Sequence, residues 1–216
     1  MRTIFTAGLL AAFAAIPAAA SAQGACGGYV KAPSVGGWSE YVVSVPGSSD
    51  LGVRFAVTDA EARRDRQLVW FETRVTGGAG TMVSRLLVPG YPYATSQVED
   101  AVLKGMNGKV VQLGPDLLLR ARDQELPRLH KSIAEGCEAA QLVGDEQITV
   151  RAGTFRTKHF RSAQAGADFW LSNEAPFGLV RMTNSLDNSS LELVDRGTGA
   201  KTSISGTPRV LNGPAN

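Results

Sequence analysis

Apolar and polar or small side chains alternate without a break from residue 51 to 58. Leu51, Val53, Phe55 and Val57 share one face, and Gly52, Arg54, Ala56 and Thr58 the other. This period of two is what a strand with one buried face requires. The pattern returns at 68–75, with Val69, Phe71, Thr73 and Val75 opposed to Trp70, Glu72 and Arg74. Gly77-Gly78-Ala79-Gly80 then leads into 81–88, which predicts a hairpin with a glycine-rich turn. The middle of the chain reads differently. Ser96-Gln97-Val98-Glu99 has the form of a capping box in front of Ala101, Val102 and Leu103, which predicts a short helix. The alternative for 101–113 is a strand hairpin about Asn107-Gly108, favoured slightly by that turn dipeptide and by Val110-Val111. Residues 115–135 are helical in text. Leu118 and Ala121, then Leu126, Leu129 and Ile133, recur at helical spacing, with Pro127 as a break and Gly136 as a terminator. Beyond Cys137, short runs at 147–150, 153–161, 167–172, 178–183 and 191–194 are separated by Gly, Ser, Asn, Asp and Pro, the spacing of an antiparallel meander.

These patterns predict an α+β chain: a curled, mostly antiparallel sheet, an incomplete β-barrel, with one mid-chain helical segment covering its concave face. The expected organisation is a signal peptide at 1–22, a flexible glycine-rich lead-in at 23–37, a single half-barrel-like domain at 38–200 and a flexible tail at 201–216. The N-terminus carries the export reading. Arg2 is followed by an apolar run from Ile4 to Ile16 and by Ala20-Ser21-Ala22, a small-x-small cleavage site. The run is too short and too alanine-rich to span a bilayer, so the expected location is periplasmic or secreted after cleavage near Ala22, and not integral to the membrane. Lipid anchoring at Cys26 is disfavoured, because Gln23 occupies the place where lipoprotein signals carry an aliphatic residue.

Composition narrows the chemistry. Loss of residues 1–22 would remove one of 22 basic residues and none of the 20 acidic ones, leaving a net charge near +1. That balance gives nucleic acid no basic face, and the cluster Arg63-Arg64-Asp65-Arg66 reads as a solvated turn. The only two cysteines, Cys26 and Cys137, are expected to pair in an oxidising compartment. The only two histidines, His130 and His159, lack ligands at metal-binding offsets, so no metal and no cofactor is expected. No G-x-S-x-G elbow is present. A hydrolase would have to assemble its site in space from Ser172 or Ser205 with His159 and Asp168. The glycine run 77–80 lacks the lysine and hydroxyl of a phosphate-binding loop. Aromatic residues fall on both faces of the same predicted strands, as with Trp70 opposite Phe71 and Trp170 opposite Phe169. The second face is thus either packed on both sides or lines a groove.

Three stretches carry a resemblance: 148–161 with its Ala152-Gly153 turn before Phe155, 169–180 with Phe169-Trp170-Leu171 and Pro176-Phe177-Gly178, and 191–200 with Leu191, Leu193 and Val194. They are similar to a text found in secreted bacterial proteins that themselves resemble the lipoprotein-carrier superfamily typified by the LolA and LolB envelope proteins. The resemblance implies a curved sheet closed by helices over an apolar cavity. The leading expectation is therefore non-enzymatic binding of an apolar or lipid-like envelope ligand, lined by Phe55, Trp70, Met82, Leu86, Leu118, Ile133, Phe160 and Trp170. A module binding another envelope protein and the hydrolase are the alternatives.

Overall fold

The computed structural model describes residues 26–123, 136–137 and 139–213. Among them twelve strands form: β1 (Trp38–Ser44), β2 (Leu51–Arg63), β3 (Arg66–Gly77), β4 (Gly80–Val88), β5 (Asp100–Lys104), β6 (Val110–Leu113), β7 (Gln141–Val150), β8 (Gly153–Ser162), β9 (Ala167–Leu171), β10 (Leu179–Asn184), β11 (Ser189–Gly197) and β12 (Arg209–Leu211). They make one sheet in the order β12-β6-β5-β4-β3-β2-β1-β11-β10-β9-β8-β7. It consists of two meanders, β1 to β6 and β7 to β11, joined along β1 and β11. Irregularities in register at Glu40/Tyr41, Val57/Asp59, Leu142/Gly144 and Leu179/Arg181 bend the strands. The β7–β8 hairpin outruns β9, and its tip turns back to β11, where Ala152 N donates to Leu193 O at 3.3 Å. The sheet curls but does not close, with β7 and β12 at its two ends.

The alternation at 51–58 buries Val53, Phe55 and Val57 on the core face, although Leu51 at the strand's start is exposed. Tyr41, Phe71, Leu86, Val88, Ala101, Phe160, Phe169, Leu171, Leu191 and Leu193 join them. Above this face Phe55, Phe71, Tyr91 and Phe177 form a ring cluster, with Phe71 stacked on Tyr91 at 5.4 Å and Phe177 edge-on to the other three rings. Tyr91 and Phe177 lie on loops, so the space over β2 and β3 is filled by connections. The glycine-rich lead-in is built into this layer. Cys26 and Val30 are buried, Cys26 is bonded to Cys137 with Cα atoms 5.4 Å apart, and Gly36 N donates to Val57 O at 2.7 Å. The expectation of a loosely held 23–37 therefore gives way from Cys26 onward, because the disulfide fixes one end and main-chain hydrogen bonds the other.

In the middle of the chain the hairpin alternative holds: β5 and β6 pair antiparallel about the turn at Met106 and Asn107. The expected helix shrinks to a 3-10 turn at Thr95–Gln97, where Gln97 Oε1 accepts from Ala94 N at 2.8 Å. Pairing with β4 then keeps the following residues extended. The helix α1 (Pro115–Asp123) packs against this turn and β6 and sends Leu118 into the core. The remainder of the helical text, with His130 and Ile133, lies outside the described residues. No helix among the described residues is long and apolar enough to cross a membrane.

The far face carries all three tryptophans of the chain, each beneath a guanidinium: Arg54 over Trp38 at 4.3 Å, Arg85 over Trp70 at 4.3 Å, and Arg181 over Trp170 at 5.6 Å. Such stacking satisfies a large ring on a wet face. Leu68, Trp70, Leu87 and Val102 form a small separate cluster there, covered by Ile204. The tail was expected to be flexible from residue 201. It crosses this face instead, and Arg209–Leu211 adds a parallel strand to β6. An aperiodic sequence with glycine and proline gave no sign that a sheet edge would order it.

Candidate functional site

At the end of the sheet where the β8–β9 and β10–β11 turns meet, core-face residues of β9 and β10 lie beyond the ring cluster. Gly166, with φ +60, shapes the first turn, and Ser162 Oγ accepts from Ala165 N at 3.3 Å. Gly166 O binds the second turn, accepting from Ser185 N at 2.8 Å and Ser185 Oγ at 3.0 Å. On the other side Gly136 lies so close to the Phe169 ring that a Cβ there would come within 2.5 Å of Cζ. The adjacent Cys137 ties this wall to Cys26. Between these walls is a half-open hollow of about 430 Å³, with Phe169, Met182, Ala139, Ala165 and Ala167 on its apolar side and Ser162, Gln164 and Asn184 as polar groups. Its volume lies within the range of small-molecule sites.

Among the described residues lining the hollow, none has an ionisable side chain. These residues supply apolar surface and hydrogen-bonding groups, and no acid, base or nucleophilic thiolate.

Of the eight residues predicted to line one cavity, the seven that are described are dispersed. Phe55, Leu86, Leu118 and Phe160 belong to the main core, and only Phe160, paired across the ladder with Phe169, adjoins the hollow. Trp70 belongs to the far-face cluster, and Met82 is 49% exposed near the β3–β4 turn. Trp170 stacks on His159 on the far face, and Ile133 lies outside the described residues. The floor residues Phe169 and Met182 had a sequence signal as core-face positions of β9 and β10. Nothing local showed that the β8–β9 and β10–β11 turns would meet beside them.

His159 shows what can be said of the hydrolase alternative. The ring is 5% exposed, with Nδ1 2.8 Å from Glu146 Oε1 and Nε2 2.6 Å from Asp168 Oδ1. Trp170 Nε1 donates to Glu146 Oε2 at 2.8 Å, and Arg161 Nε to Asp168 Oδ1 at 2.8 Å. The Trp170 indole, followed by His159, holds the Glu146 carboxyl below the usual range. Each ring nitrogen faces a carboxylate oxygen, so this arrangement leaves neither facing a hydroxyl. Ser172 is 3% exposed, and its Oγ accepts from Glu174 N at 3.3 Å within its own turn. The group is a polar staple across β7, β8 and β9.

No protein-family model matches the sequence, and no curated protein matches it. Among solved structures, a presumed lipoprotein of Parabacteroides distasonis ATCC 8503 aligns with a TM-score of 0.37 and 12% identity, over 78% of this chain and 98% of that one. A presumed exported protein of Bacteroides fragilis NCTC 9343, described as having a YmcC-like fold, aligns with a TM-score of 0.37 and 12% identity, over 79% of this chain and 99% of that one. Similarity this shallow says nothing about ligand or partner.

Proposed function

We propose that this is an exported envelope protein that binds an apolar or lipid-like ligand without transforming it, and that the ligand sits in the hollow beside Phe169 and Met182. The observation that carries this reading is the pairing of apolar side chains with polar groups that, among the described residues, are all uncharged. That composition suits an amphiphile whose chain lies along Met182, above Phe169, and whose head meets Gln164 or Asn184. The stretch resembling the lipoprotein-carrier superfamily includes Phe169, which supports a place in that group. The signal-like N-terminus and the disulfide support an oxidising compartment outside the cytoplasm.

The test is titration of the oxidised protein with a fluorescent fatty acid. The expected result is saturable one-to-one uptake that Met182→Lys abolishes, since an ammonium on the floor would lose its hydration. A folded wild-type protein that takes up no probe, or a Met182→Lys protein that takes it up unchanged, would refute the assignment. N-terminal sequencing of the exported chain, expected to start at Gln23, tests the address separately.

A further inference from the structure

The register of the sheet sets five hairpin turns at one end: β1–β2, β3–β4, β5–β6, β8–β9 and β10–β11. Along that end Ser44 pairs with Ser190, Val43 with Leu51, Gly52 with Thr76, Gly77 with Gly80 and Lys104 with Val110. Five of the ten large apolar residues that are exposed among the described ones stand there: Val45, Leu51, Met82, Met106 and Leu186. Single exposed apolar side chains need no explanation, but a gathering at one end does. It is densest at the corner of β3–β4 and β5–β6, where Leu51, Met82 and Met106 are 38%, 49% and 57% exposed. Leu51 lies against Gly77, where an added Cβ would come within 2.6 Å of its Cδ2, and Met106 lies against Gly80, its Cβ 3.5 Å from such an atom.

Charge sets this corner apart from the rest of the end. Residues 77–82 and 104–109 contain two lysines, Lys104 and Lys109, and no acid. Neither lysine has an ion-pair partner among the described residues. The carboxylates of the neighbouring turns are engaged locally: Asp50 Oδ1 accepts from Ser44 Oγ at 2.7 Å, and Asp187 Oδ1 from Ser189 N at 2.9 Å. The β5–β6 turn is also fixed in shape. Gly105 N donates to Lys109 O at 3.0 Å, Gly108 N to Gly105 O at 2.9 Å and Lys109 N to Asn107 Oδ1 at 3.0 Å. The turn therefore presents Met106 between two lysines of the same hairpin with little backbone left to order on binding.

We propose that this corner docks on a lipid bilayer carrying anionic headgroups, with Leu51, Met82 and Met106 entering the acyl boundary and Lys104 and Lys109 held at the phosphates. A protein partner would need a continuous complementary patch of about 800 Å², with a desolvated and often aromatic centre. The corner offers separate hairpin tips instead, and residues 77–82 and 104–109 contain no aromatic side chain. A bilayer boundary accepts flexible apolar tips without shape complementarity. The long lysine stems lie beside those tips while their ammonium groups stay in water, where anionic headgroups attract them. The proposal rests on the exported address and not on a ligand in the hollow, whose bordering turns stand at the same end of the sheet.

The test is flotation of the full, oxidised chain with vesicles of phosphatidylcholine, with and without phosphatidylglycerol. The wild type is expected to float with the phosphatidylglycerol vesicles, to float far less with phosphatidylcholine alone, and to be released as salt rises to about 1 M. Lys104→Ala with Lys109→Ala is expected to lower the partition coefficient about thirtyfold at low salt. Met82→Ser with Met106→Ser is expected to lower it at least about tenfold. A wild type that stays free of both vesicles, equal flotation on the two, or folded variants that float unchanged would overturn the proposal. Oxidation locates the surface without any variant. Hydrogen peroxide is expected to convert Met82 and Met106 to sulfoxides more slowly when phosphatidylglycerol vesicles are present, and equal rates with and without them count against the corner. Flotation needs no ligand in the hollow, so its failure leaves the fatty-acid titration standing, and a failed titration leaves flotation standing.

Discussion

The indole of Trp170 lies flat on the imidazole of His159, with ring centroids 4.5 Å apart and planes 14° from parallel, while its Nε1 reaches past to Glu146 Oε2 at 2.8 Å. One side chain thus packs the buried histidine and ties down the carboxylate that the histidine itself binds. The direction of the Glu146 shift gives a pH dependence. Because the folded value is lowered, the stability it contributes is complete above the unfolded carboxylate value of about 4.3 and is lost as pH falls through the folded value. Trp170→Phe keeps a ring on His159 but removes the first cause of the shift. Urea melts between about pH 3 and 6 are expected to show a smaller acid loss in Trp170→Phe than in the wild type; parallel curves would refute the coupling.

The Cys26–Cys137 bond spans 111 residues and fixes both the lead-in and the Gly136 wall of the hollow. Cys26→Ser with Cys137→Ser is expected to lower stability by about 2–5 kcal/mol. The denaturation midpoint of the wild type is expected to fall comparably on reduction, and a midpoint insensitive to reductant would show that the bond does not restrict the unfolded chain.

Gly178 and Gly47 separate backbone strain from collision. Both have left-handed φ, +80 and +78, but a Cβ at Gly178 would stand 2.0 Å from Tyr29 O, whereas Gly47 has nothing within 4 Å. Gly47→Ala is expected to cost about 1 kcal/mol, the strain alone. Gly178→Ala is expected to cost ~3 kcal/mol, since the Phe177 turn and the lead-in must also move apart. Denaturant midpoints compare them directly, and equal losses would mean that the lead-in yields freely.

At the β2–β3 turn Arg64 takes φ +54 without being a glycine. Arg64→Gly relieves a left-handed conformation worth about 1–2 kcal/mol and gives back part of it in unfolded-state entropy. A net stabilisation of ~0.5 kcal/mol is expected by thermal melting. A destabilised variant would indicate that the Arg64 side chain makes contacts that outweigh the strain.

What the sequence determined by itself is local: strands at 51–58, 68–75 and 81–88, the second meander apart from the first six residues of β7, and the pairing of the only two cysteines. Period-two burial and turn residues act over neighbouring positions, so they can be read without knowing the fold. The meaning of the second face was decided only in three dimensions. Trp38, Trp70 and Trp170 read as surplus aromatics until Arg54, Arg85 and Arg181, distant in sequence or one strand away, are seen above them. Glu72 reads as a solvated strand position until residues 130 positions later bring it hydroxyls. The hollow beside Phe169 likewise depends on the β8–β9 and β10–β11 turns meeting close to Gly136. Where separate segments meet depends on strand order and chain crossing, and no periodicity along the chain encodes those.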